Sequence, residues 1–119
     1  MTHIEDKLMP LGSKVLQETQ RYAKSERYSI DPLTIITIIQ LLYKLAQILM
    51  SWWSNRTDRA INSSKKLNWM KKFVIWRYAR AGARNRKEAK YIYGGLVNTI
   101  PKFTDSDRKI LFNTVDENL

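Results

Sequence analysis

The chain has no cysteine. That excludes a disulfide framework and all thiolate chemistry, and it fits a reducing compartment. There is one histidine, His3, close to the start of the chain. A histidine-based metal site or a histidine general base is therefore not expected. Glycine is sparse, with four residues, and Gly94–Gly95 is not followed by the Lys-Ser/Thr of a phosphate-binding loop. The opening stretch MTHIEDKLMPLGSK has early acids and no apolar core, so no secretory signal is expected.

Acids are also scarce, eleven against twenty-one Lys and Arg. Several, including Asp31, Asp105 and Asp107, stand where helices begin. No pair sits in a motif that would raise one pKa and lower the other for acid–base catalysis. Asp105 and Asp107 look like the start of a cation loop, but Phe112 and Val115 follow where the rest of the calcium pattern belongs. The expectation is a protein that is not an enzyme, with no cofactor and no metal.

No acid at all lies between Pro32 and Asn55, and this stretch, DPLTIITIIQLLYKLAQILMSWWSN from Asp31, organises the rest. Asp31 can cap a helix and Pro32 suits its first position. The polar residues Thr34, Thr37, Gln40, Lys44, Gln47 and Ser51 recur every three or four positions and make one stripe along a helix. Every other position from Leu33 to Trp53 is apolar or aromatic. The run Ile35–Ile39 is β-branched in part, but the helical period continues through it, which excludes a strand. A helix of this kind, about 33 Å long at ~1.5 Å per residue, needs neighbours on several sides. A 14.1 kDa chain has little material for that, so other subunits are expected to cover Ile38, Leu42, Leu45, Leu49, Trp52 and Trp53. The competing reading is a membrane span, with Trp52 and Trp53 in an aromatic belt and Arg56, Arg59, Lys65 and Lys66 beyond it. Lys44 opposes that reading, since a mid-span lysine costs ~2.5–3.5 kcal/mol on the insertion scale.

The flanks read as helices too. Residues 1–28 carry an apolar face through Ile4, Leu8, Leu11, Val15, Leu16, Tyr22 and Ala23, and Pro10 with Gly12 is expected to break this segment near Ser13. Residues 104–115 start with Thr104 as a cap and place Asp105 and Asp107 in the first turn. There is no repeat, no low-complexity tract and no sustained β alternation. The fold class expected is all-α: one small helical domain over 1–119, with a long apolar central helix (32–53), a long basic helical segment (65–93) and shorter terminal helices.

The net charge of +10 is concentrated. Residues 56–90 hold twelve basic and two acidic residues, and the rest of the chain is close to neutral. Such asymmetry points to a localised anionic partner. Arg77, Arg80, Arg84 and Lys87 are spaced to form one cationic ridge on this helical segment, within which Gly82 is expected to mark a kink or a place where another backbone comes close. Lys65, Lys66, Lys71 and Lys72 extend it, and Arg86 and Lys90 flank it. Trp69, Trp76 and Tyr78 interleave with these charges, either to stack on bases or to belong to the packing face or an interface, with Trp69 and Trp76 the candidates for a subunit contact. The apolar face of the segment is expected at Leu67, Met70, Phe73/Val74, Arg77/Tyr78 and Ala81. No helix-turn-helix, zinc finger or RNP-type motif is present, so nucleic-acid contact would be to the backbone and sequence-nonspecific. An acidic protein surface, lipid headgroups or plain solvation are the other readings of the same charges.

In general style the composition looks like that of small phage virion or assembly proteins, although no motif carries the likeness. The functional expectation is a non-enzymatic structural or assembly protein of an oligomeric particle, cytoplasmic or in a virion. A membrane-active, pore-like protein and a small nonspecific nucleic-acid-binding protein are the alternatives.

Overall fold

The computed structural model describes residues 2–54 and 69–118, with side chains from 4 to 48 and from 69 to 118. The protein is all-α. The helices are α1 (Thr2–Ser25), α2 (Thr34–Ser54), α3 (Trp69–Gly82), α4 (Arg86–Thr99) and α5 (Asp105–Glu117), with a 3-10 turn at Ile100–Lys102 before α5. Among the described residues there is no strand. The pairings close a ring α1–α2–α3–α4, and α5 lies against α1 and α2.

α1 runs unbroken through Pro10, contrary to the break expected there. A proline inside a helix costs ~3 kcal/mol. Leu8, Leu11 and Val15, all fully buried, flank it, and each buried side chain of this size contributes ~1.5–3 kcal/mol. Burial therefore outweighs the missing hydrogen bond. Gly12 lets α2 approach, since a Cβ there would lie 2.7 Å from Ile39 Cγ1. α1 ends in a Schellman turn: Tyr28 N–H donates to Ala23 C=O at 2.8 Å and Arg27 N–H to Lys24 C=O at 3.0 Å. The left-handed residue of that turn is Arg27, with φ 59°, where glycine is usual.

α2 starts as its sequence foretells. Asp31 Oδ1 accepts Leu33 N–H at 2.9 Å, and Asp31 C=O accepts Thr34 N–H at 2.9 Å. Its buried face is Ile38, Ile39, Leu41, Leu42, Leu45 and Ala46, covered by α1, α3 and α5 of the same chain. This corrects the expectation that Ile38, Leu42 and Leu45 form a subunit interface. All three have no exposed surface, because the remaining helices supply the cover that a second copy was expected to give. Leu49, Trp52 and Trp53 lie outside the described side chains. Of the polar stripe, Gln40, Lys44 and Gln47 face solvent while Thr34 is buried. Among the described residues, no helix is long and apolar enough to cross a membrane.

α3 buries Ile75 and Ala79, not the face through Met70 and Phe73, which are exposed. Apolar residues surround its first two turns, so helical period alone could not choose a side. The small residues choose it: Ala79 is buried, and Gly82 sits so close to α2 that a Cβ would meet Leu41 Cδ2 at 3.1 Å. The described part of the basic segment is then two helices rather than one. Asn85, in extended geometry, caps α4 by accepting Glu88 N–H at 2.8 Å.

α4 passes through Gly94 and Gly95 without a break. Gly95 is where α1 and α4 touch most closely; a Cβ there would stand 2.1 Å from Thr19 Oγ1 and 2.9 Å from the Val15 carbonyl oxygen. After the 3-10 turn around Pro101, Thr104 and Asp107 form a capping box. Asp107 also accepts from Lys14 Nζ at 2.8 Å, which ties α5 to α1. Lys7 and Glu117 pair across the same two helices.

Candidate functional site

The cations of the basic segment follow the bend between α3 and α4. Lys71, Lys72, Arg77 and Arg80 are carried by α3, Arg84 by the bend, and Arg86, Lys87 and Lys90 by α4. Lys65 and Lys66 lie outside the described residues. The ridge expected through Arg77, Arg80, Arg84 and Lys87 is therefore interrupted. Asn85 three residues before Glu88 is a helix-start pattern, and it was the legible signal for this break.

The bend also divides the cations by role. Arg84 Nε donates to Glu88 Oε2 at 3.0 Å, and Arg84 N–H reaches Glu88 Oε1 at 3.4 Å. Glu88 is buried, so this pair holds the corner of the fold. Lys90 Nζ donates to Glu26 Oε1 at 3.0 Å, bridging α4 to the end of α1. By contrast, Lys72, Arg77, Arg80 and Arg86 are exposed and make no ion pair among the described residues.

On α3 the side opposite Ile75 and Ala79 carries Trp69, Phe73, Arg77 and Arg80. Steps of three or four residues stack aromatic rings and guanidinium groups in one stripe. Trp69 is 76% exposed and Phe73 55%. Trp76, at the edge of this stripe, is half-buried and meets Tyr93 of α4 edge-on, with centroids 5.6 Å apart and planes at 89°. Between the two helices lies an open cleft of about 470 Å³ lined by Trp76, Arg86, Lys87 and Lys90. No acid lines it. Arg86 and Lys87 occupy the first turn of α4, where the positive end of the helix dipole disfavours a cation by ~0.3–1 kcal/mol. Their placement does not help the helix dipole.

Beside the cations of the cleft lies a pair of tyrosines that sequence reasoning did not anticipate. Tyr28 and Tyr91 lie with ring centroids 5.2 Å apart. Lys87 Nζ sits 5.3 Å over the Tyr28 ring and Lys90 Nζ 5.8 Å over the Tyr91 ring. The Tyr91 hydroxyl donates to Glu26. That hydrogen bond, with burial, pushes the Tyr91 pKa up to about 12. The same bond, with the Lys90 ammonium, holds the Glu26 carboxyl below its ordinary range. A stabilised phenol beside a stabilised carboxylate is a poor proton-transfer pair, so this trio acts as a positioning link for Lys90. These contacts join residues of α1 and α4, 64 positions apart for Glu26 and Lys90, and no local pattern announces them. Among the described residues, no group of three or more His, Asp or Glu is placed to hold a metal ion.

Comparison of the chain with protein-family models, with curated proteins and with solved structures returns no match.

Proposed function

We propose that this protein is a non-enzymatic nucleic-acid-binding protein that holds the phosphate backbone through α3 and α4 without reading sequence. The observation that carries the proposal is the set of exposed cations Lys72, Arg77, Arg80 and Arg86, none paired with an acid among the described residues. Guanidinium groups suit bidentate phosphate contacts, and each contact releases condensed counterions. Binding to a mixed-sequence duplex is then expected to fall steeply with salt. Arg77→Glu with Arg80→Glu removes about two contacts and is expected to flatten the log–log salt slope by about two, with helix content unchanged because both side chains are exposed. Salt-insensitive binding, or an unchanged slope in the double variant, would overturn the proposal.

A second reading rests on Trp69, Met70 and Phe73, exposed by 76%, 60% and 55%. An apolar cluster on a cationic helix suits a protein neighbour. In an oligomeric particle, virion or otherwise, these residues would make the subunit contact while the arginines face nucleic acid. The mass of the native species in solution decides this: a particle supports it, and a monomer at assembly concentrations removes it.

A further inference from the structure

We infer that the cleft between α3 and α4 is a single-strand site, in which an unpaired base stacks on Trp76 while Arg86 and Lys87 hold the flanking phosphates. This rests on the nucleic-acid reading above and narrows it to one substrate class. A duplex keeps its bases stacked and offers a flat cationic surface little beyond phosphate. The aromatic group here is not on a flat surface. It forms a wall of an open cleft of about 470 Å³ whose other described lining is Arg86, Lys87 and Lys90. That volume falls within the roughly 300–1,000 Å³ of small-ligand sites. Because Tyr93 meets Trp76 edge-on at 89°, its ring does not cover both faces of the indole. A base with its own phosphates is a ligand that uses an aromatic face and several cations at once, and every base has a π-face, so the site needs no sequence preference.

The three cations are held differently. Lys90 is drawn to Glu26 at 3.0 Å and over the Tyr91 ring, which fixes that side of the cleft. Arg86 and Lys87 are exposed and form no ion pair among the described residues; Lys87 rests over the Tyr28 ring near Glu26, and Arg86 is the cation with no such contact, so both can turn to phosphates. The cleft thus has one fixed side and one side with cations ready to bind.

The test is fluorescence anisotropy with a labelled 20-nucleotide single strand and the corresponding 20-base-pair duplex, titrated with the full chain at matched salt. The single strand is expected to bind about tenfold or more tightly than the duplex. Trp76→Leu should weaken single-strand binding roughly five- to hundredfold, the scale of one stacked base, and leave duplex binding within about twofold. Trp76→Phe should restore part of the loss. Arg86→Ala with Lys87→Ala, both at exposed positions, should weaken single-strand binding and flatten its salt slope while melting like the parent. If Trp76→Leu fails to fold, the parent's strand preference and the Trp76→Phe variant decide. Equal binding of strand and duplex, or a strand preference that Trp76 variants leave unchanged, would overturn the site while the backbone reading stands. Binding of neither at 50 mM salt would remove the backbone reading itself.

Discussion

Replacing Gly95 by alanine tests the close approach of α1 to α4. The new methyl would stand 2.1 Å from Thr19 Oγ1, 2.9 Å from the Val15 carbonyl oxygen and 3.1 Å from the Thr19 nitrogen. The Thr19 hydroxyl can rotate away, at the loss of its bond to Val15 C=O at 2.8 Å. The Val15 carbonyl cannot, because it belongs to the backbone of α1. The two helices must then separate, and overpacking of this kind costs ~1–3 kcal/mol. A backbone obstacle places the cost at the upper end. Alanine regains ~0.8–1 kcal/mol of helix propensity, which leaves a net loss of about 2 kcal/mol. For a chain of this size that corresponds to a fall in Tm of roughly 6–10 °C, read by circular dichroism at 222 nm. Gly94→Ala is the control. Its methyl would meet only the Tyr22 ring, at 3.3 Å, and this half-buried ring can shift, so stability should stay within about 0.5 kcal/mol of the parent or rise slightly through propensity. Adding Thr19→Ala to Gly95→Ala should recover part of the loss, since it removes the hydroxyl but not the carbonyl. A Gly95→Ala protein that melts at or above the parent, or no lower than Gly94→Ala, would refute the close α1–α4 approach.

Two further outcomes follow from the helix ends. Arg27 holds φ 59°, a conformation that costs an L-residue ~1–2 kcal/mol, so Arg27→Gly should stabilise the protein by about 1 kcal/mol in urea unfolding; destabilisation would mean that the side chain has a structural role there. For Asp107, burial opposes the charge, but the Lys14 ammonium and the Thr104 backbone N–H outweigh it and hold the carboxyl below its ordinary range. A lowered carboxyl contributes stability that is fully present above the unfolded value of ~3.9 and is lost as pH falls through the folded value. Asp107→Asn should therefore lose stability at pH 7 and show a shallower decline below pH 4 than the parent; parallel acid profiles would refute the assignment.

Much of the local structure was legible. The caps at Asp31 and Thr104, the length of α2 and the absence of strands all follow from interactions within a few residues, and spacing reports those directly. The helix end at Gly82 and the capping pattern of Asn85 with Glu88 are equally local. Pro10 misled in the other direction, because intrinsic propensity is weaker than the burial of Leu8 and Leu11 on either side.

What the chain alone determined was its class and the location of its charge: an all-α fold, and a cationic block between residues 56 and 90. Tertiary structure decided which of those charges remain available. Lys90 is engaged because Glu26 of α1 reaches it, and Trp76 lines a cleft because Ile75 and Ala79, rather than Met70 and Phe73, turn inward. Neither could be read in advance: the Lys90–Glu26 contact joins residues 64 positions apart, and apolar residues spread around a helix set no single face until a neighbour with a small residue at the contact lets it come close.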